Sequence, residues 1–265
     1  MRIGSLELQE DLSPADWIID RIHDFAVDVG SIIPEGFEAY ARLFHPAIRL
    51  EKDGQVEVRW SQVAAANSRI IHPEMQWANI SGTWGYSDEE SRGLWDLQPE
   101  DGSLPRNCAE HLRDVLVGYT STPDRVWFAV WDGFGCLKIH PGGSATLSFG
   151  PEGVRHAVRR PPPEPAPGPT FQLPNRDYYL LSGPIEAIGE SMCEASMWQS
   201  ANLWWPDDRT WCVATEIDFS WTYVGGDGPL VEALVSEPGL EILPARIDHA
   251  VTYEADRINP QPPHS

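Results

Sequence analysis

Glu216 and Asp218 are the pair with the most direct chemical possibility in this sequence. They stand two apart inside WCVATEIDFSWTYVGG, where every second residue from Trp211 to Tyr223 is large and mostly apolar. A period of two means extended chain with one buried face. The two acids then share the other face, with Cα atoms about 6.6 Å apart. Carboxylates roughly 5–9.5 Å apart are what glycosidases use for acid and base work. Asp132 ends the second strong strand pattern, RVWFAVWD, and would join them if the two strands are neighbours. Trp204, Trp205 and Trp221 are the aromatic candidates for lining a sugar or flat-ligand cleft beside them. The plainer account is a solvated strand face whose acids discourage edge pairing.

The elements that must hold these residues are mostly strands. The alternation from Trp211 to Tyr223 is longer than an ordinary strand, which predicts a bend near 218–220 or two strands in sequence. Residues 125–132 are apolar on both faces and read as a central strand. FEAYARLF before His45-Pro46 and DYYLLS at 177–182 read as further strands, and TLSF at 146–149 as a short one. IRLEK and QVEVRW flank Asp53-Gly54, a hairpin with a type I′ turn. Ser13-Pro14 opens a helix whose apolar face is Ile18, Ile22, Phe25 and Val29, with Gly30 as its stop. Ser61 caps a second helix, Leu104-Pro105 opens a third running to Val117, and Gly228-Pro229 starts the last clear one. A short helix is expected at 185–192. The expectation is an α+β protein, mostly antiparallel sheet flanked by about four helices.

Residues 1–150 form an N-terminal part and 175–258 a C-terminal part, on the same sheet or as a second half. Between them, 151–174 carries PPPEPAPGP, a polyproline-like loop or linker expected to lack ladder hydrogen bonds. Residues 259–265 read as a frayed tail. The two strong strands share a Pro-Asp-…-Arg-x-Trp entry at Pro123 and Pro206, from convergent turn chemistry or a faint duplication.

Composition bounds the partners. The net charge of −21 repels nucleic-acid phosphates and anionic membranes and favours a basic protein partner. Twelve Trp fit a β-rich core first and a ligand cleft second. Only Lys52 and Lys138 are lysines among nineteen basic residues, the codon bias of a high-GC genome. Cys108, Cys136, Cys193 and Cys212 have no metal or redox spacing. With no leader-like N-terminus and no long apolar run, the expectation is a reduced, cytoplasmic protein with buried thiols. No glycine-rich phosphate loop, nucleophile elbow or paired-histidine motif occurs, so no cofactor or metal is implied.

The stretches GFEAYARLFHP, FAVWDGFG and WCVATEIDFSWTYVGG resemble a family of uncharacterised proteins from high-GC bacteria. The resemblance covers most of the chain outside the proline-rich connection and implies no activity or site residue. The acidic, Trp-rich composition is also similar to bacterial immunity and interaction modules. The leading expectation is therefore a non-catalytic binding protein for a basic partner. The alternatives are a hydrolase built on Glu216 and Asp218, and a small-ligand sensor.

Overall fold

The structure is a computed structural model that describes residues 2–84, 93–135, 137, 167–193 and 198–262. Twelve strands are present among them. They are β1 (Arg2–Ile3), β2 (Leu6–Leu8), β3 (Ala39–Phe44), β4 (Ala47–Glu51), β5 (Gly54–Val58) and β6 (Val126–Trp131), then β7 (Thr170–Leu173), β8 (Arg176–Gly183), β9 (Leu203–Pro206), β10 (Cys212–Ala214), β11 (Trp221–Gly226) and β12 (Ile242–Ala245). The helices are α1 (Asp16–Ile19), α2 (Trp60–Ala66), α3 (Trp77–Ser81), α4 (Arg106–Leu116) and α5 (Gly228–Val235). Ten strands make one sheet in the order β1-β2-β8-β6-β9-β10-β11-β3-β12, with β7 also on β8. Every pairing is antiparallel. This is the expected α+β class. The remaining two strands, β4 and β5, form a separate hairpin.

Both faces of the sheet are covered, which is why its central strands look apolar throughout. On β6, Val126, Phe128 and Val130 face a core shared with α4 and α5, and Trp127 and Ala129 face a second core shared with α1, α2 and α3. Trp211 is wholly buried in the first core, and Trp127 is nearly so in the second. The two Pro-Asp entries therefore deliver their Trp to opposite faces, and they are not equivalent positions. They lie side by side: Trp127 Nε1 donates to Asp207 across 2.9 Å.

Several expectations need correction. The long alternation is not one of them: it is two strands, as its length implied, with β10 and β11 paired antiparallel around a turn in which Phe219 N donates to the Glu216 carbonyl. The apolar period continues through that turn because its side chains are still packed. The first helix stops at Ile19 rather than near Gly30. Ile22 reaches the same core as Ile18 from irregular backbone and Val29 from a separate 3-10 turn, Val29–Ser31, with Ala26 at φ 51° between them. Ser13 is not its cap. In the hairpin, Glu51 pairs with Gly54, so Lys52 and Asp53 are the turn residues and neither has the positive φ of a type I′ turn. Helix α2 starts at Trp60, where the Glu241 carboxylate accepts from the backbone of Trp60 and Ser61 at 2.7 Å each. Residues 185–189 are a 3-10 turn. Inside the proline-rich connection, Thr170–Leu173 is a strand on β8, because these four residues between Pro169 and Pro174 carry no proline and keep their N–H groups. The rest of that connection up to 166, and the strand expected at 146–149, fall outside the described residues.

The C-terminal segment is not frayed at 259–262. Asn259 is buried, and its side chain bonds both the N–H and the carbonyl of Ile70. Cys108 and Cys212 are free and buried as expected, but Cys193 is disulfide-bonded. Sequence spacing cannot report which sulfurs meet in space. Among the described residues, no helix is long and apolar enough to cross a membrane.

Candidate functional site

The turn between β10 and β11 carries Glu216 and Asp218, and β8 brings Arg176 to meet them. Arg176 Nη2 lies 2.6 Å from Glu216 and 3.1 Å from Asp218. The two acids meet on that one nitrogen from a turn between the strands, not from the strand face that the spacing implied. Glu216 is buried, and Asp218 is 71 % exposed. The Arg176 guanidinium also packs against the rings of Phe25 and Trp131, at 4.6 and 5.6 Å. Burial raises the Glu216 carboxyl, and Arg176 pulls it back down. The pocket beside Glu216 holds about 20 Å³, room for little more than a water. Asp132 is not part of this group. It lies beside the hydroxyl of Tyr179, which faces the other core.

Trp204, Trp205 and Trp221 are core residues. Trp204 meets Trp211 edge to face at 5.8 Å, and Trp205 meets Trp17 at 6.2 Å. Trp221 is held on both sides, by Phe219 stacked at 4.4 Å and by the buried Arg42 guanidinium at 3.9 Å. None presents a free ring to a ligand.

A much larger cavity lies nearby. It is a cleft of about 550 Å³ between the β4–β5 hairpin and the start of α4. Ile48, Gln55 and Glu57 line one wall, because alternate hairpin residues share a face. Pro105, Arg106 and Asn107 form the other wall, and 97–101 the floor. Trp198 closes one side.

The floor is rigidly attached. Ile48 exchanges backbone hydrogen bonds with Leu97 at 2.8 and 2.9 Å. Gly102 N donates to the Phe219 carbonyl at 3.0 Å, and a Cβ on Gly102 would sit 2.4 Å from the Ile217 oxygen. Its φ of +74° and this close approach both require glycine there. Residues 102–104 are bonded to 198–200 by Gln199 Nε2 to Gly102, Leu104 N to Ser200 Oγ and Trp198 Nε1 to Leu104. The indole of Trp198 is thereby fixed in orientation.

Three carboxylates face this cleft: Glu57, Glu100 and Asp101. Glu57 accepts from Asn107 Nδ2 at 3.2 Å. Partial burial raises Glu100, and the Asp101 charge raises it further. Asp101 is pushed up to about 6, chiefly by partial desolvation of its carboxyl against the cleft, although the residue as a whole is exposed. A hydrogen bond from Ser220 opposes that rise, and the Asp218 charge adds to it. The Arg106 guanidinium lies over the Trp198 ring at 5.5 Å and pairs with Glu110 at 3.1 Å. Sequence reasoning missed this cleft because its parts lie up to a hundred and fifty residues apart. The raised acids leave no sequence pattern, because desolvation and charged neighbours arise only in the fold.

Among the described residues, no group of three or more His, Cys, Asp or Glu is placed to hold a metal ion. No family model, curated protein or solved structure matches the chain.

Proposed function

We propose that the protein is a non-catalytic binding module that receives a basic protein partner at the cleft between the β4–β5 hairpin and α4. The observation that carries this reading is the lining of that cleft: three carboxylates, Glu57, Glu100 and Asp101, set beside Ile48, Leu97, Pro99 and a fixed indole. Such a site attracts cationic side chains and gives their methylene stems apolar surface. The net charge of −21 adds long-range attraction of the same sign. The hydrolase reading built on Glu216 and Asp218 is less well supported. Both acids are engaged by one Arg176 nitrogen, and the pocket beside them is too small for a sugar ring. A hydrolase using Asp101 is a second reading, favoured by its raised pKa near Trp198.

The test is calorimetric titration with arginine, lysine and glutamate octapeptides at about 50 and about 500 mM salt. The expected result is binding of the two basic peptides only. It weakens at high salt and is lost in the triple variant E57Q/E100Q/D101N. Equal behaviour of the triple variant and the wild type would reject the cleft as the site. Turnover of chromogenic glycosides that D101N abolishes would favour the hydrolase.

A further inference from the structure

We propose that the cleft is selective for an arginine side chain, and that Arg106 now occupies the place this guest would take. The proposal rests on the reading of the cleft as a site for a basic partner. It goes further by naming the side chain recognised and a built-in competitor for its position.

The Arg106 guanidinium stands over the Trp198 ring at 5.5 Å, on the wall of a cleft that also holds Glu57, Glu100 and Asp101. A planar guanidinium stacks on an indole face and pairs with carboxylates in a way that a compact ammonium does not. Trp198 cannot turn away to avoid such a guest, because Nε1 is bound to the Leu104 carbonyl at 2.8 Å. The cleft therefore already displays the interaction it is shaped to make.

Arg106 is weakly held. Its other contact is an i, i+4 pair with Glu110, with 64 % of the Arg106 side chain exposed. Exposed pairs of that kind contribute little. When a second guanidinium arrives, Arg106 gives up the ring at little cost, because its side chain is mostly in water and its one ion pair is exposed. Until then its charge opposes entry of any cation, and only a guest that stacks on Trp198 as well as pairing with the acids recovers the loss. That mechanism discriminates arginine from lysine.

The experiment compares the arginine and lysine octapeptides by calorimetry on the wild-type chain and on R106Q, W198L and E57Q/E100Q/D101N. Arg106 is exposed and Trp198 lies at the cleft edge, and circular dichroism and thermal melting establish that each variant is folded. The expected result is preference for the arginine peptide in the wild type. R106Q binds that peptide about five- to tenfold more tightly, the gain from removing one nearby like charge and freeing one ring face. W198L loses the arginine preference while retaining salt-sensitive binding of both peptides. Unchanged or weaker binding in R106Q, with binding still lost in the carboxylate variant, overturns the role of Arg106 and leaves the basic-partner reading standing. Absence of binding to both basic peptides in the wild type overturns both.

Discussion

His45 Nδ1 lies 2.7 Å from the carbonyl oxygen of Glu100 and ties the floor of the cleft to the sheet. A carbonyl only accepts, so Nδ1 carries the proton. Nε2 then accepts from Thr222 Oγ1 at 2.9 Å, and Thr222 accepts in turn from Thr215 at 2.7 Å. With Nδ1 donating, the chain of donors runs from Thr215 through Thr222 to the neutral ring. Burial takes His45 down from 6.5 to about 4. Its folded value lies below its unfolded one, so its contribution is full above pH 6.5 and is lost as pH falls toward 4. H45Q is expected to lower stability by about 2 kcal/mol at neutral pH, through loss of part of this network. It should also flatten the decline between pH 7 and 4. Urea melts across that range check it. A decline as steep in H45Q as in the wild type would assign the acid sensitivity elsewhere.

Asp101 works in the opposite direction. Its carboxyl is raised from 3.8 to about 6, so ionising it in the fold is unfavourable. Its contribution to stability is full below pH 3.8 and is lost as pH rises through 6. A bound cation reverses that balance by favouring the ionised form. Binding of the arginine octapeptide at pH 6 should therefore release protons. The same titration in two buffers of different ionisation enthalpy measures the release. D101N should bind more weakly and release fewer protons. Equal heats in both buffers would remove Asp101 from the site.

Much of the sheet was legible because burial imposes a period on the chain. The alternation around Trp211 and the two-sided apolar run of β6 are direct consequences of a sheet with a core on each face. The first helix was misjudged because Ile18, Ile22 and Val29 serve one core whether or not the backbone between them is helical. The pairing of Glu216 with Asp218 was legible as proximity. Their neutralisation by Arg176 was not, since that residue comes from β8, forty positions earlier. Arg42 shows the same limit. Its charge gives no sign of burial, yet it is wholly buried among Phe44, Trp60 and Trp221. Alternation tells which residues share a face, but not whether a second layer covers it.

Arg176 is expected to matter to folding more than to any reaction. Its side chain is 14 % exposed and that of Glu216 7 %, so neither is well served by water. R176M keeps the length and apolar contacts of the side chain but leaves Glu216 as a buried, unpaired acid. The cost should be about 3 kcal/mol, within the range for removing one partner of a buried pair. R176M/E216Q should recover part of it. Chemical denaturation of the two variants provides the measurement. A loss in R176M below about 1 kcal/mol would mean that Glu216 reaches water more freely than its burial indicates.

Asp256 is the residue on which the C-terminal segment depends. Its carboxylate accepts from His72 Nε2 at 2.9 Å, from the backbone of Gln76, Ile258 and Asn259, and from the Asn259 side chain at 3.0 Å. Burial alone would raise this acid, but the donors outweigh it and hold it down at about 2. Its contribution is thus present above pH 3.8 and is lost only as pH falls through 2. Asparagine in its place has one oxygen and cannot accept from all these donors. D256N should cost about 2–4 kcal/mol by leaving buried donors unmet. It should also release Asn259 from Ile70, so that amide exchange at Ile70 and Asn259 accelerates well beyond that of β6. A chain ending at Ile258 should show the same local change at Ile70 while His72 remains bound to Asp256. If Ile70 stays protected in both, the C-terminal segment is held by its apolar contacts and the carboxylate is not its anchor.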